Sequence, residues 1–278
     1  MESERKDGMD PRPIGVCDSG LGGLTAVRRL RQVLPEEDIV FLGDTGRLPY
    51  GGKDPETILR YAEEALAFLL EQNVKAVVVA CGTISSIALS RLGDPGIPLR
   101  GVVNAAARKA AALTNNGRVG VLGTAAAIRA GAYVRALRQL RPELHTLEQA
   151  CPRFVPLIEE GRRTPEDPLL RAAAEEYLGP IRDFGADTLI LGCTHYPLIA
   201  GAIRACVGES VALVDTGAEA AEEMKGLLEE RGALSGKRER GSLRCWVSGS
   251  PERFAALAGV FLPGEVLSVR HTVLGNEV

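Results

Sequence analysis

Two cysteines stand at comparable places in this sequence. Cys81 closes an apolar run, Val77-Val78-Val79-Ala80, and is followed by Gly82-Thr83. Cys193 closes Leu191-Gly192 and is followed by Thr194-His195. A lone cysteine at a strand end is ordinarily a small buried residue. Two at matching turns, pointing into one cleft, suit a particular chemistry: proton removal from one face of a held carbon and delivery to the other. A single base cannot reach both faces, because each transferred proton must lie within hydrogen-bond reach of its base. A cysteine at a helix N-terminus also has its thiolate favoured by the helix dipole. Asp18 and His195 are the candidate orienting or proton-accepting partners. His195 is one of three histidines and the only one in such a turn.

Two further loops follow strands. Asp18-Ser19-Gly20-Leu21-Gly22-Gly23 opens a helix, where glycines permit a tight turn and free N–H groups hold an anion. The plainer reading is that Asp18 or Ser19 only caps that helix. The loop Asp44 to Gly52 contains Tyr50-Gly51, a hydroxyl beside a glycine N–H that would bind a carboxylate, or it is simply a solvated loop. No lysine in a pyridoxal context, no GxGxxG and no metal-ligand cluster is present in the sequence, so the chemistry is expected to run without metal or cofactor.

The elements that must position these residues are short β-branched runs alternating with longer Ala/Leu/Arg/Glu patterns. Strands are expected over 14–17, 38–42, 76–80, 99–102, 118–122, 188–191 and 211–214. Helices are expected over 24–34, 55–71, 104–113, 169–184 and 218–230, and one more strand-helix-strand unit over 243–269. The alternation specifies an α/β fold with mainly parallel sheets, and continuously apolar strands indicate sheets covered on both faces. The strand-turn at Gly15 resembles that at Gly120, and the Cys81 turn resembles the Cys193 turn, at similar offsets; two copies of one unit, or chance likeness of such turns, explain this. A length of 278 residues suggests two domains at roughly 150 residues each. In open parallel sheets ligands sit outside the carboxyl ends of the strands, where these loops lie.

Composition excludes other classes. Lys plus Arg is 33 against 36 for Asp plus Glu, which gives no reason to expect nucleic acid or an anionic membrane as partner. Lys237-Arg238-Glu239-Arg240 reads as part of a surface linker. No apolar run approaches the roughly 20 residues of a membrane span. Residues 1–13 are charged, read as a disordered lead-in rather than a secretory signal, and leave a cytoplasmic location as the expectation. Six cysteines without a CxxC pair argue for free thiols.

Ile14 to Leu24, Gly43-Asp44-Thr45 with Pro49-Tyr50-Gly51, Ala80-Cys81, Ala150-Cys151-Pro152 with Phe154-Val155-Pro156, and above all Leu191-Gly192-Cys193-Thr194-His195-Tyr196-Pro197-Leu198 together resemble glutamate racemases, in order over 14–263. The resemblance implies a cofactor-independent racemase of two α/β domains, 14–104 plus 216–278 and 105–215, with the active site in the cleft between them. It implies Cys81 and Cys193 as the acid/base thiols, Asp18 assisting Cys81, and His195 with Glu159 assisting Cys193. It implies glutamate contacts from Asp18, Ser19, Tyr50, Gly51, Gly82, Thr83, Thr124, Thr194 and His195. It further implies a homodimer that supplies D-glutamate for peptidoglycan. Three positions depart from the family pattern: Gly82 replaces the usual Asn, Ala127 a second Thr, and Asn104-Ala105-Ala106 a segment with Pro. A water or a side chain such as Asn104 would then stand in for the missing amide. Two alternatives remain open: a racemase of aspartate or another acidic amino acid, and a non-catalytic protein that keeps the cleft for binding.

Overall fold

The computed structural model describes residues 9–265 and 267–275. Among these, the strands are β1 (Ile14–Asp18), β2 (Ile39–Gly43), β3 (Ala76–Val79), β4 (Leu99–Gly101), β5 (Arg118–Gly123), β6 (His145–Ala150), β7 (Thr188–Leu191), β8 (Ala212–Asp215), β9 (Leu243–Val247) and β10 (Ser268–His271). The helices are α1 (Leu24–Val33), α2 (Pro55–Glu71), α3 (Gly82–Ile87), α4 (Val102–Leu113), α5 (Ala125–Ala130), α6 (Ala132–Leu140), α7 (Phe154–Glu159), α8 (Pro168–Phe184), α9 (Ala200–Val207), α10 (Thr216–Glu230) and α11 (Pro251–Phe261). The expected strands are present to within one residue. The polar strand β6 was not expected.

The strands form two parallel sheets, ordered β10-β9-β2-β1-β3-β4 and β6-β5-β7-β8. The central strands are apolar along their whole length because helices cover both faces; Ala-Val-Val-Val of β3 is buried throughout. On one face of the first sheet α1, α10 and α11 supply Leu24, Leu30, Met224 and Phe254. On the other, α2 supplies Ile58, Ala62 and Leu69. The second sheet packs against α8 and α9 through Leu170, Leu178 and Ile203, and against α4 and α6 through Ala106, Ala110 and Leu137. Asp54-Pro55 and Asp167-Pro168 start the two longest helices, each Asp accepting backbone N–H bonds at the cap and each Pro occupying the first turn, where no donor is needed.

The order β2-β1-β3-β4 has the same form as β6-β5-β7-β8. β3 starts at 76 and β7 at 188, an offset of 112; β2 starts at 39 and β6 at 145, an offset of 106. The repeat visible at the two cysteine turns therefore extends over four strands. The chain leaves the first sheet after Gly101, where α4 begins and packs on the second, and returns at Thr216, where α10 packs on the first.

Residues 1–8 of the expected lead-in, and 276–278, lie outside the described residues. From Asp10 onward the segment is paired: Asp10 N–H donates to Leu234 O (3.0 Å), and Asp10 O accepts from Lys75 Nζ (2.7 Å). The linker 231–242 contains no helix or strand beyond the end of α10, and two of its charges are tied down by Lys237–Asp38 (2.5 Å) and Arg240–Glu265 pairs. No helix among the described residues is long and apolar enough to cross a membrane.

Candidate active site

Both thiols lie where the topology sends them, just beyond the carboxyl ends of equivalent strands. Cys81 follows β3 and caps α3; Cys193 follows β7, with Gly192 between, and leads into a 3-10 turn at Tyr196–Ile199. They are 5% and 7% exposed, and both line one cleft of about 840 Å3 between the sheets. Ser19, Tyr50, Gly51, Gly82, Thr83, Thr124, Glu159, Thr194 and His195 line it too.

The partners of the two sulfurs differ. Cys81 Sγ lies 3.5 Å from Ser19 Oγ. Burial and then the neighbouring Asp18 carboxylate push the Cys81 thiol up to about 12, so the neutral thiol is favoured. Cys193 Sγ lies 3.9 Å from His195 Nδ1, and His195 Nε2 lies 3.0 Å from Glu159 Oε1. Burial opposes the charged imidazole, but hydrogen bonds to the Cys193 sulfur and to Glu159, with attraction to Cys193 and Asp18, outweigh it and raise the pKa. The charged imidazole is thus favoured beside one sulfur, and Asp18 lies behind the other. Phe261 of α11 holds the imidazole edge-on, with ring centroids 5.2 Å apart.

Three side chains named from the sequence are placed as follows. Asp18 is buried behind the cleft wall rather than on it; its Oδ2 accepts from Gly20 N–H at 2.9 Å, its Oδ1 has no partner, and burial raises its pKa. From there Asp18 acts on Cys81, whose thiol its carboxylate helps to push up. The Tyr50 hydroxyl donates to Asp44, whose carboxylate also accepts from Arg47 Nε (2.7 Å) and Ser248 Oγ (2.5 Å). A phenol has one proton to give, so Tyr50 offers the cleft its ring and backbone rather than a donor for a carboxylate. Asn104 is exposed on α4 and does not stand in for the amide missing at position 82.

Gly82 has a steric reason. A Cβ there would lie 2.2 Å from Gly192 O, so the two cysteine turns touch backbone to backbone. Other contacts join the same loops. Thr83 Oγ1 and Thr124 Oγ1 are 2.9 Å apart, Thr25 Oγ1 donates to Thr194 O at 3.1 Å, and a Cβ on Gly22 would meet Thr194 Oγ1 at 2.1 Å. Behind the glycines the Tyr133 hydroxyl is fully buried without a partner.

The sequence reading missed one wall entirely. Ser250, Arg253, Phe254 and Leu257 of α11 and its cap line the cleft, as do Thr45, Leu48, Cys151 and Val155. α11 lies 170 residues beyond Cys81 in the chain, and no local pattern joins the two. Among the described residues no group of His, Cys, Asp and Glu is arranged to hold a metal ion.

Two parallel α/β units, each sending one thiol from an equivalent strand end into a shared cleft, define the class of protein. Residues 23–224 match the family model described as Asp/Glu/Hydantoin racemase. The glutamate racemase of Geobacter metallireducens is 42% identical over 267 residues, 96% of this chain and 98% of that protein. The crystal structure of glutamate racemase from Thermus thermophilus in complex with beta-chloro-D-alanine superposes with a TM-score of 0.83 at 43% identity, covering 95% of this chain and 98% of that one. The structure of glutamate racemase from Francisella tularensis in complex with D-glutamate gives 0.86 at 35%, covering 96% and 98%. The chain belongs to the Asp/Glu/hydantoin racemase family.

Proposed function

We propose that this protein is a cofactor-independent glutamate racemase that interconverts L-glutamate and D-glutamate by proton transfer between two cysteines. The observation that carries the reading is that Cys81 and Cys193, at equivalent positions of the two sheets, line one cleft. The Francisella relative, named as a glutamate racemase and holding D-glutamate, supports the substrate.

Glutamate lies between the sulfurs. Cys193, beside the His195 that Glu159 orients, acts as the base and takes the α-proton from one face. The electron pair moves into the α-carboxylate as an enediolate. The Cys81 thiol, which burial and Asp18 keep protonated, then gives its proton to the opposite face as the new C–H bond forms. The reverse reaction runs with the roles exchanged. Ser19, Tyr50, Gly51, Gly82, Thr83, Thr124, Thr194 and His195 hold the substrate, Tyr50 through its ring and backbone. The two units correspond to 14–104 plus 216–278 and 105–215, with the cleft between them.

The product serves peptidoglycan synthesis. The six described cysteines are all free thiols, which supports a reducing, cytoplasmic location. The family resemblance supports a homodimer, which sedimentation tests. The test of the activity is D-glutamate formation from L-glutamate in deuterated water. Product carrying solvent deuterium from its first appearance supports two bases; product retaining the substrate α-hydrogen sinks the two-thiol mechanism. A preference for aspartate over glutamate, or binding without α-proton exchange, sinks the activity itself.

A further inference from the structure

A substrate with two carboxylates must meet positive charge, and the cleft has little of it. His195 is committed between Cys193 and Glu159. Arg47 lies against Asp44 and Glu64. Behind the wall sit two buried carboxylates, Asp18 and Asp44. Among the described residues Arg253 is the one lining side chain with a permanent positive charge. It occupies the first turn of α11, is exposed, and has no ion-pair or side-chain hydrogen-bond partner among the described residues. Its backbone is fixed: Arg253 N–H donates to Ser250 Oγ (3.2 Å), and the next residue, Phe254, is buried against Phe41 with ring centroids 5.9 Å apart. The neighbouring Glu252, which could have neutralised it, is instead bonded by Ser250 Oγ at 2.7 Å.

We propose that Arg253 is the anion-recruiting residue of this cleft, drawing the acidic amino acid, with its two carboxylates and one ammonium, to the mouth from which its α-carbon reaches the thiols. This rests on the racemase reading above. A charge at a binding rim acts on encounter and on salt dependence more than on the chemical step. Arg253 is therefore a binding residue for the ground state and the transition state alike, and its loss falls on KM.

The experiment compares the native protein with Arg253→Gln and Arg253→Lys, using glutamate at rising sodium chloride. In Arg253→Gln, KM rises about 5- to 10-fold with kcat within about twofold, and kcat/KM loses most of its dependence on ionic strength. Arg253→Lys keeps most of that dependence. Native KM and native salt dependence in Arg253→Gln overturn the proposal. So does a loss confined to kcat, which would place the effect in the packing of α11 against His195. Calorimetric titration with L-glutamate separates this proposal from the activity. A native protein that binds glutamate but exchanges no α-proton sinks the racemase reading, and the ratio of Kd values then decides Arg253: a 5- to 10-fold weakening in Arg253→Gln supports its role, equal values overturn it. A native protein that binds no acidic amino acid overturns both.

Discussion

Removing the sulfur from either cleft cysteine leaves one face of the substrate without a proton carrier. Cys81→Ala and Cys193→Ala should each lower racemisation by at least ~10²-fold, the usual scale of acid–base catalysis. Cys245, buried in the core of the first sheet, and Cys206, on α9, are the controls, and alanine at either should retain turnover. Polarimetry reads all four; near-native turnover in Cys81→Ala removes it from the mechanism. Gly82 gives a sharper residue-scale expectation. Placing at position 82 the Asn that the family resemblance leads one to expect should here lower kcat/KM, because a Cβ 2.2 Å from Gly192 O forces the two turns apart. Gly82→Ala should do nearly as much harm as Gly82→Asn, since the clash begins at Cβ. An active Gly82→Asn with improved KM would show that the turns move freely. Both cysteines and His195 could be singled out from the sequence because each is a rare residue type in a recognisable turn, whereas Glu159 is named only through the family resemblance. The directions of the Asp18 and Tyr50 side chains could not be read there, because a side chain's direction depends on which buried partner it finds.

At the scale of elements, the start of β3 is held by a buried ion pair. Lys75 Nζ lies 2.6 Å from Glu37 Oε2 and donates to Asp10 O and Ala233 O, with the two side chains 1% and 2% exposed. It ties the segment before β1, the loop before β2 and the loop after α10 to one strand. Lys75→Met should cost about 3–5 kcal/mol, because Glu37 stays buried and unpaired, and Lys75→Met with Glu37→Leu should recover part of that loss. Urea denaturation of the two variants decides it: equal stability in both would show that the pairing contributes nothing. The loop between α4 and β5 carries a pH-dependent contact. Burial opposes the Asp187 anion, but bonds from Thr114 Oγ1 (2.6 Å), Asn116 N–H (2.8 Å), Asn115 N–H (2.7 Å) and Thr188 Oγ1 (3.0 Å) outweigh it and lower the pKa. A depressed folded-state pKa adds stability above the ordinary carboxylate value, lost as pH falls through the lowered one. The Tm difference between the native protein and Asp187→Asn should therefore be widest near neutrality and shrink below about pH 4. A difference independent of pH would mean that shape, not charge, holds the loop. β6 escaped the sequence reading because an edge strand, half-buried, needs no apolar run; its counterpart β2, buried on both faces, did not.

The whole molecule is two similar units brought together at their strand ends. Helix α4 packs on α10 with an Arg108–Glu223 ion pair, while beside the thiols the contact includes small groups: the Gly82–Gly192 approach, the Thr25–Thr194 bond and the Thr83–Thr124 pair. Each hydroxyl of the threonine pair lies at the cleft and serves the other. Thr83→Val and Thr124→Val should each reduce kcat/KM, and the double variant should lose little more than the worse single one, since the pair acts as a unit. Additive losses in that cycle would show that the two hydroxyls work separately.

Sequence by itself determined the α/β alternation, the two apolar strand ends that carry Cys81 and Cys193, and the internal likeness that relates them. These follow from periodicity and from local turns, and local rules act within a few residues. Tertiary structure alone decided what faces the cleft from a distance. It turned Asp18 and the Tyr50 hydroxyl away into buried contacts, set Gly82 against Gly192 O, and brought Arg253 and Phe261 of α11 to a site whose thiols lie far back in the chain. The reason is that α11 reaches the cleft only because β9 pairs with β2, at the other end of the sequence, and no periodicity encodes such a pairing.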